Sequence, residues 1–140
     1  MKRYIKSAVK TLQDLNRDQK IYIARHSPLS GRDLKSLASD NNEYVRMGVA
    51  RNPLVSLDVL EQLVGDAYSI NVSDAAISNK SVTPEVLISW VDNSKPIVRW
   101  RIAGSKKTPI EVLRYIVDNC QDERAKHYAE EELQFREGVK

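Results

Sequence analysis

Cysteine is nearly absent from this sequence, phenylalanine occurs once, and no apolar run is long. Each shortage excludes something. The single thiol, Cys120, rules out an internal disulfide and any all-cysteine metal site within one chain. No stretch approaches the roughly 20 apolar residues that span a bilayer. At the N-terminus, MKRYIKSAVKTL, Lys6 and Lys10 interrupt what a secretory signal would need to be apolar, so a cytoplasmic protein with no membrane contact is expected. There is no glycine-rich phosphate loop, no nucleophile elbow and no HExxH. His26 and His127 share no ligand spacing with carboxylates or with Cys120, which leaves no candidate metal site. Catalytic residues and cofactors are therefore expected to be none.

What is present fits one globular domain. A chain of 140 residues that is 41% hydrophobic and 29% charged can bury a core without staples. The net charge of +3 hides a pattern: residues 1–51 hold 11 basic and 5 acidic side chains, 52–92 hold 1 and 6, 93–121 hold 6 and 2, and 122–140 hold 4 and 6. A nucleic-acid binder would more comfortably carry one continuous basic stripe, so the total argues only weakly for DNA or RNA.

The segment Tyr44 to Asp66, YVRMGVARNPLVSLDVLEQLVGD, is where the organisation becomes visible. Val45, Val49 and Ala50 form the stripe of a short helix that Asn52-Pro53 stops. Ser56 offers a cap for a second helix with Val59, Leu60, Leu63 and Val64 on one face, ending at Gly65-Asp66. The same unit recurs. Leu34, Leu60, Leu87 and Leu113 are spaced by 26, 27 and 26 residues. Three residues after them stand Leu37, Leu63, Trp90 and Ile116, and ten before them Ala24, Ala50, Ile77 and Ala103. Val45, Val72 and Val98 share a column whose first member is Gln19, and Asp40, Asp66, Asn93 and Asn119 close the units. A two-helix unit of this size cannot bury its apolar face alone, so neighbours must stack.

In chain order, residues 1–16 are expected to form an N-terminal cap helix with Tyr4, Ile5, Ala8, Val9, Leu12 and Leu15 on one face. Residues 19–119 then hold four repeats of 26–27 residues. The second helix of the first repeat enters through Ser30, with Asp33 at capping-box spacing. Thr83-Pro84 opens the third repeat's second helix, and Thr108-Pro109 with Glu111 repeats the device in the fourth. Residues 122–137 are expected to be a C-terminal cap helix, with Ala129 26 residues after Ala103 and a polar run Glu130-Glu131-Glu132. Within the third unit Ser73 and Asp74 dilute the first helix, which makes it the expected weak point.

The motif VRMGVARNPLVSLDVLEQLVGD resembles the leucine-rich repeat variant, a HEAT-like and armadillo-like α-solenoid repeat of the form VRxxVAxNPxTPxxxLxxLAxD. The match lies in Val45, Arg46, Val49, Ala50, Asn52, Pro53, Leu60, Leu63 and Asp66, with further matches at Thr83 to Leu87 and at Val98-Arg99. The resemblance covers about residues 19–119. It implies an all-α fold, a right-handed α-solenoid of about four two-helix repeats with helical caps in a single domain, 1–140. Members with an iron–sulfur cluster hold it on an added cysteine-bearing segment, which this chain lacks. The family's repeats supply no catalytic residue to carry over, and a fold does not give a function.

Function must then lie on a face. With about 100° per residue, Lys20, Arg46, Ser73 and Arg99 fall near the buried side and are expected to be structural, bonding helix-end carbonyls or Asp40, Asp66 or Asn93. The outer face of the first helices carries Tyr22, Arg25, Met47, Arg51, Trp100 and Arg101, an aromatic and arginine set of the kind found at binding hot spots. The alternative for Met47 and Trp100 is packing between repeats. A rival face on the second helices carries Arg32, Lys35, Glu61, Arg114 and Tyr115. The sequence thus points to a non-enzymatic module that binds a protein partner. The alternative is nucleic-acid backbone binding through a basic solenoid face, as in HEAT-like DNA-binding proteins, with Arg25, Arg51, Arg101, Lys106 and Lys107 on phosphates.

Overall fold

Short side-chain caps divide the chain into helices at nearly every point where the sequence offers one. The computed structural model describes residues 12–138, and among them every regular element is helical. A 3₁₀ turn at Leu12–Asp14 precedes nine α-helices: α1 (Arg17–His26), α2 (Gly31–Leu37), α3 (Glu43–Ala50), α4 (Leu57–Val64), α5 (Ile70–Ile77), α6 (Pro84–Asn93), α7 (Pro96–Gly104), α8 (Ile110–Asn119) and α9 (Glu123–Arg136). Of the helix expected over residues 1–16, residues 1–11 lie outside the described residues. The described remainder is that 3₁₀ turn, and Asn16 starts α1: its side chain accepts from the Gln19 amide at 2.9 Å while the Gln19 side chain accepts from the Asn16 N–H at 3.0 Å.

Ser56, Ser69, Thr83 and Asp122 each accept an early amide of the helix that follows, which satisfies one of its orphan donors. Pro84 occupies the first turn of α6 as expected. Two expected boxes turn out differently. The Ser30 side chain accepts from the Asp33 amide, but its hydroxyl, rather than a backbone N–H, donates to the Asp33 carboxylate. Thr108 does not cap α8 at all. It is fully buried, its hydroxyl donates to the Ile102 carbonyl at 2.7 Å, and Pro109 takes the cap position with no side-chain bond. Burial next to an unpaired helix-end carbonyl outcompetes a solvent-side cap.

The helices alternate between two roles. The odd-numbered helices touch in succession, α1 on α3, α3 on α5, α5 on α7 and α7 on α9, and each even-numbered helix from α4 to α8 also packs on the odd helix that follows it. The core runs continuously between them. Leu34, Leu60, Leu87 and Leu113 are each at most 1% exposed, and the columns of Ala24, Ala50, Ile77 and Ala103 and of Val45, Val72 and Val98 are buried with them. Trp90 is buried at the position of Leu37, Leu63 and Ile116. Gly48 marks the tightest approach of α3 to α1: a Cβ there would stand 3.0 Å from the Ala24 Cβ and 3.1 Å from the Ile21 carbonyl oxygen.

Polar rungs tie one unit to the next. Asn52, 1% exposed, donates to the Ala24 and Ser27 carbonyls at 2.8 and 3.1 Å and accepts from the Leu54 amide at 2.9 Å. Asn79 repeats this one unit later, donating to Ala50 and Asn52 at 2.8 and 3.2 Å and accepting from Ser81. Each amide therefore takes up one orphan carbonyl at the end of the preceding odd helix, Ala24 or Ala50, and a second carbonyl just beyond it that also accepts from the Leu29 or Val55 amide. Ser105 occupies the next such position and is too short for the span. It donates to Asp74 at 2.7 Å instead, and Arg136 of α9 reaches back to the Ser105 and Thr108 carbonyls.

A second set joins charged groups. Arg46, 8% exposed, pairs with Asp66 through Nε at 2.6 Å and donates to the Asp40 and Asn41 carbonyls. Lys20 pairs with Asp40 at 3.0 Å. In the third unit Ser73, 1% exposed, donates to the Val64 carbonyl at 2.7 Å. Arg99 completes the column, but its partner is Asp122 at 2.9 Å. The expectation that Asn93 would receive one of these donors is corrected: Asn93 and Asn119 turn back onto the Ser89 and Tyr115 carbonyls of their own helices. An amide NH₂ seeks an acceptor and gives a guanidinium only its carbonyl, so the carboxylate three residues beyond Asn119 wins.

Candidate functional site

The six side chains expected on the outer face of the first helices meet different fates. Arg25 on α1, Met47 on α3 and Arg51 at the end of α3 line one open groove of about 640 Å³, closed on its other side by Asn71 and Asp74 of α5, by Ser78 just past its end and by Lys80 and Lys107. Arg25, Arg51, Lys80 and Lys107 are all exposed, and among the described residues none has a carboxylate within ion-pairing distance. Met47 is half-buried against the core and forms part of the floor. The only acid in this lining, Asp74, already accepts from Ser105. The groove thus holds four cations with unspent donors.

Trp100 and Arg101 line a second groove, of about 490 Å³, with Ile70, Ile97, Arg124, Tyr128 and the carboxylates of Glu131 and Glu132. Asp74 belongs to both linings, so the two grooves adjoin along the odd-numbered helices. Neither Trp100 nor Arg101 is unengaged. The Trp100 indole N–H donates to Asp122 at 2.9 Å and the Arg124 guanidinium lies 4.4 Å from its ring, while Arg101 donates to the Asp66 carbonyl at 2.8 Å. These contacts make both residues part of the packing between neighbouring units, with one edge left open to the groove. Tyr22 stands apart from both grooves, 65% exposed and stacked on His26 at 4.7 Å.

Asp122 is the electrostatic centre of the C-terminal end. Burial alone would raise its carboxyl, but the Ala125 N–H, the Arg99 guanidinium and the Trp100 indole N–H all bond the charged form and together hold it below the usual carboxylate range.

The rival face is committed or scattered. Glu61 accepts from the Ser94 hydroxyl, Arg114 pairs with Glu137, and the Tyr115 hydroxyl donates to Asp92 at 2.7 Å, a bond that raises the phenol above its ordinary value. Arg32 and Lys35 are exposed on α2, and neither lines a groove with the other three.

Sequence reasoning missed Lys80 as a groove residue and named Lys107 only as a phosphate contact in the nucleic-acid alternative, with Arg25, Arg51, Arg101 and Lys106. Lys80 and Lys107 both follow the ends of odd-numbered helices, one residue after Asn79 and two after Ser105, so the rung positions were the signal that would have found them. It also missed the rungs themselves, because Asn52 was read only as a helix stop. Among the described residues no group of three or more His, Cys, Asp or Glu is placed to hold a metal ion, and no helix is long and apolar enough to cross a membrane. No family profile matches the chain, and neither a curated protein nor a solved structure does.

Proposed function

We propose that the chain is a non-enzymatic interaction module that acts in the cytoplasm: a right-handed α-solenoid of about four two-helix repeats of the leucine-rich repeat variant kind, with α9 as its closing cap, that presents the odd-numbered helices to a protein partner. The buried columns at 26- and 27-residue spacing, the succession of contacts between odd helices, and the recurring Asn52 and Asn79 rungs support the architecture. One observation carries the functional reading. Three of the six candidate residues from the sequence converge on a single open groove whose cations have no ion-pair partner among the described residues, whereas three of the five residues on the rival face are already bonded to other side chains of the chain, Glu61 to Ser94, Arg114 to Glu137 and Tyr115 to Asp92. Unpaired arginines beside a methionine and, one groove further, an aromatic edge are the composition of a binding surface.

Affinity capture from the source cell, run with and without nuclease and read by mass spectrometry, tests this. A protein that stays bound after nuclease treatment is the expected result. Recovery of nothing but nuclease-sensitive material would contradict it.

The same four cations favour one second reading, contact with a nucleic-acid backbone. That reading requires duplex or single-strand binding in a filter assay with affinity falling steeply as salt rises. Absence of binding at low salt would remove it.

A further inference from the structure

We infer that the two adjoining grooves form one bipartite trough for an extended acidic peptide segment, with carboxylates seated on Arg25, Arg51, Lys80 and Lys107 and a neighbouring apolar side chain seated against Ile70 and the open edge of Trp100. This rests on the interaction-module reading and names the partner's chemistry.

Charge comes first. The first groove sets four exposed cations against one acid, and that acid is already bonded to a hydroxyl. Guanidinium forks match carboxylates in bidentate geometry, and two of the four cations are arginines. The apolar half follows directly. Ile70 is 63% exposed on the rim of the second groove, next to Ile97, Trp100 and Tyr128. A large aliphatic side chain left in water beside a half-buried indole is a seat for an apolar anchor.

Shape and the position of the acids discriminate among anions. Two grooves that share Asp74 as a common wall make an elongated site, which suits a chain better than a compact anion. A nucleic-acid backbone carries a charge at every nucleotide and cannot skip one. Running along this trough it would meet Asp74 and then the exposed carboxylate of Glu131, Glu132 being paired with Arg136. A peptide can place its acidic residues over the first groove and an apolar residue over the second. The peptide main chain then has a matching partner in the side-chain amide of Asn71.

The test uses the full chain and a fluorescein-labelled 12-residue peptide with an acidic half, one central leucine and a short neutral tail, followed by fluorescence anisotropy at low salt. Three control probes are a peptide with lysine in place of every acid, the acidic peptide with serine in place of leucine, and a single-stranded oligonucleotide of equal charge. The expected result is saturable binding of the acidic peptide only, weakened at least tenfold by R25E/R51E and several-fold by either I70S or removal of the leucine, with the thermal midpoint of each variant unchanged. An oligonucleotide that binds as tightly and competes for the site overturns the inference in favour of a phosphate backbone. Failure of the acidic peptide to bind, or binding that is indifferent to R25E/R51E, also overturns it. If the peptide fails while R25E/R51E still abolishes capture of the protein partner, only the ligand class is lost. If both fail, the module reading falls with it.

Discussion

The N-terminal and C-terminal halves of the molecule solve the same problem with different chemistry. Wherever an odd-numbered helix ends, its last carbonyls point into the seam between units and need donors. After α1 and α3 the donors are the side-chain amides of Asn52, which is buried, and Asn79, which is partly buried. After α7 there is no asparagine to follow, and a charged side chain from the last helix, Arg136, comes back to the Ser105 and Thr108 carbonyls. The ion pairs divide between interior and ends. Arg46 and Asp66 are both nearly sealed from solvent, whereas Lys20 and Asp40 at one end and Arg99 and Asp122 at the other keep 15–22% of their side-chain surface exposed. The interior uses short or sealed rungs. The ends use longer or wetter ones.

If that contrast is right, matched substitutions in the interior and at an end should have unequal costs. The largest effect is expected for Arg46→Met, which leaves Asp66 buried without its partner and should cost about 3–5 kcal/mol. Arg99→Met leaves a partly exposed Asp122 with its indole and backbone donors and should cost about 1 kcal/mol. Chemical denaturation of the two variants side by side checks the difference, and equal losses would break the comparison. A core reference on the same scale is Leu60→Ala, expected to cost roughly 2–5 kcal/mol.

Asn52→Ala comes next. It strips the donor from the Ala24 carbonyl, one of two donors from the Ser27 carbonyl and an acceptor from the Leu54 amide, at about 1–3 kcal/mol for each buried group left unsatisfied. Ser105→Ala loses one bond to Asp74 on the groove wall and should cost only about 1 kcal/mol. The comparison sharpens with Arg136→Ala, which reopens the last seam. Ser105→Asn by itself should add a little stability, because the amide would then supply at the end of α5 the rung that Asn79 supplies at the end of α3. No gain would mean that the backbone at Ser105 does not present the geometry found at Asn52 and Asn79.

The smallest effect is the pH response of Asp122. Its carboxyl is held below its ordinary value in the folded chain. The stability it contributes is therefore present above the unfolded carboxylate value of about 3.9, and it is lost as pH falls through the folded value. Asp122→Asn should flatten the acid side of the stability profile and leave the neutral side with a small constant loss. A wild-type profile with the same acid slope as the variant would show that Asp122 is not the group responsible.

Much of this was legible in the residues. The leucine, alanine and valine columns are apolar for a reason that needs no partner, and all of them are buried. Serine, threonine and proline at helix starts were legible for the same reason, since capping is local. Thr108 was misread because Thr-x-x-Glu is also local, whereas its true partner, the Ile102 carbonyl, is exposed to it only after the chain turns back. Asn93 was misread for the converse reason. Column membership suggested a partner, but Arg99 found a stronger acceptor outside the column. In the candidate site, Arg25, Met47 and Arg51 were found by helical angle alone. Trp100 and Arg101 lie at the equivalent angle yet serve the seam, because α9 closes the C-terminal end with Asp122 under the indole. Lys80 and Lys107 sit in turns, where periodicity carries no information about direction.

The central claim is that partner binding belongs to the odd-numbered helices and not to the even-numbered ones. Paired charge reversals test it most directly: R25E/R51E on the first face against R32E/K35E on the second, in affinity capture after nuclease treatment, with thermal midpoints measured for both. Loss of the partner protein in R25E/R51E and its retention in R32E/K35E, at unchanged midpoints, is the predicted result. Retention in the first and loss in the second would contradict the account.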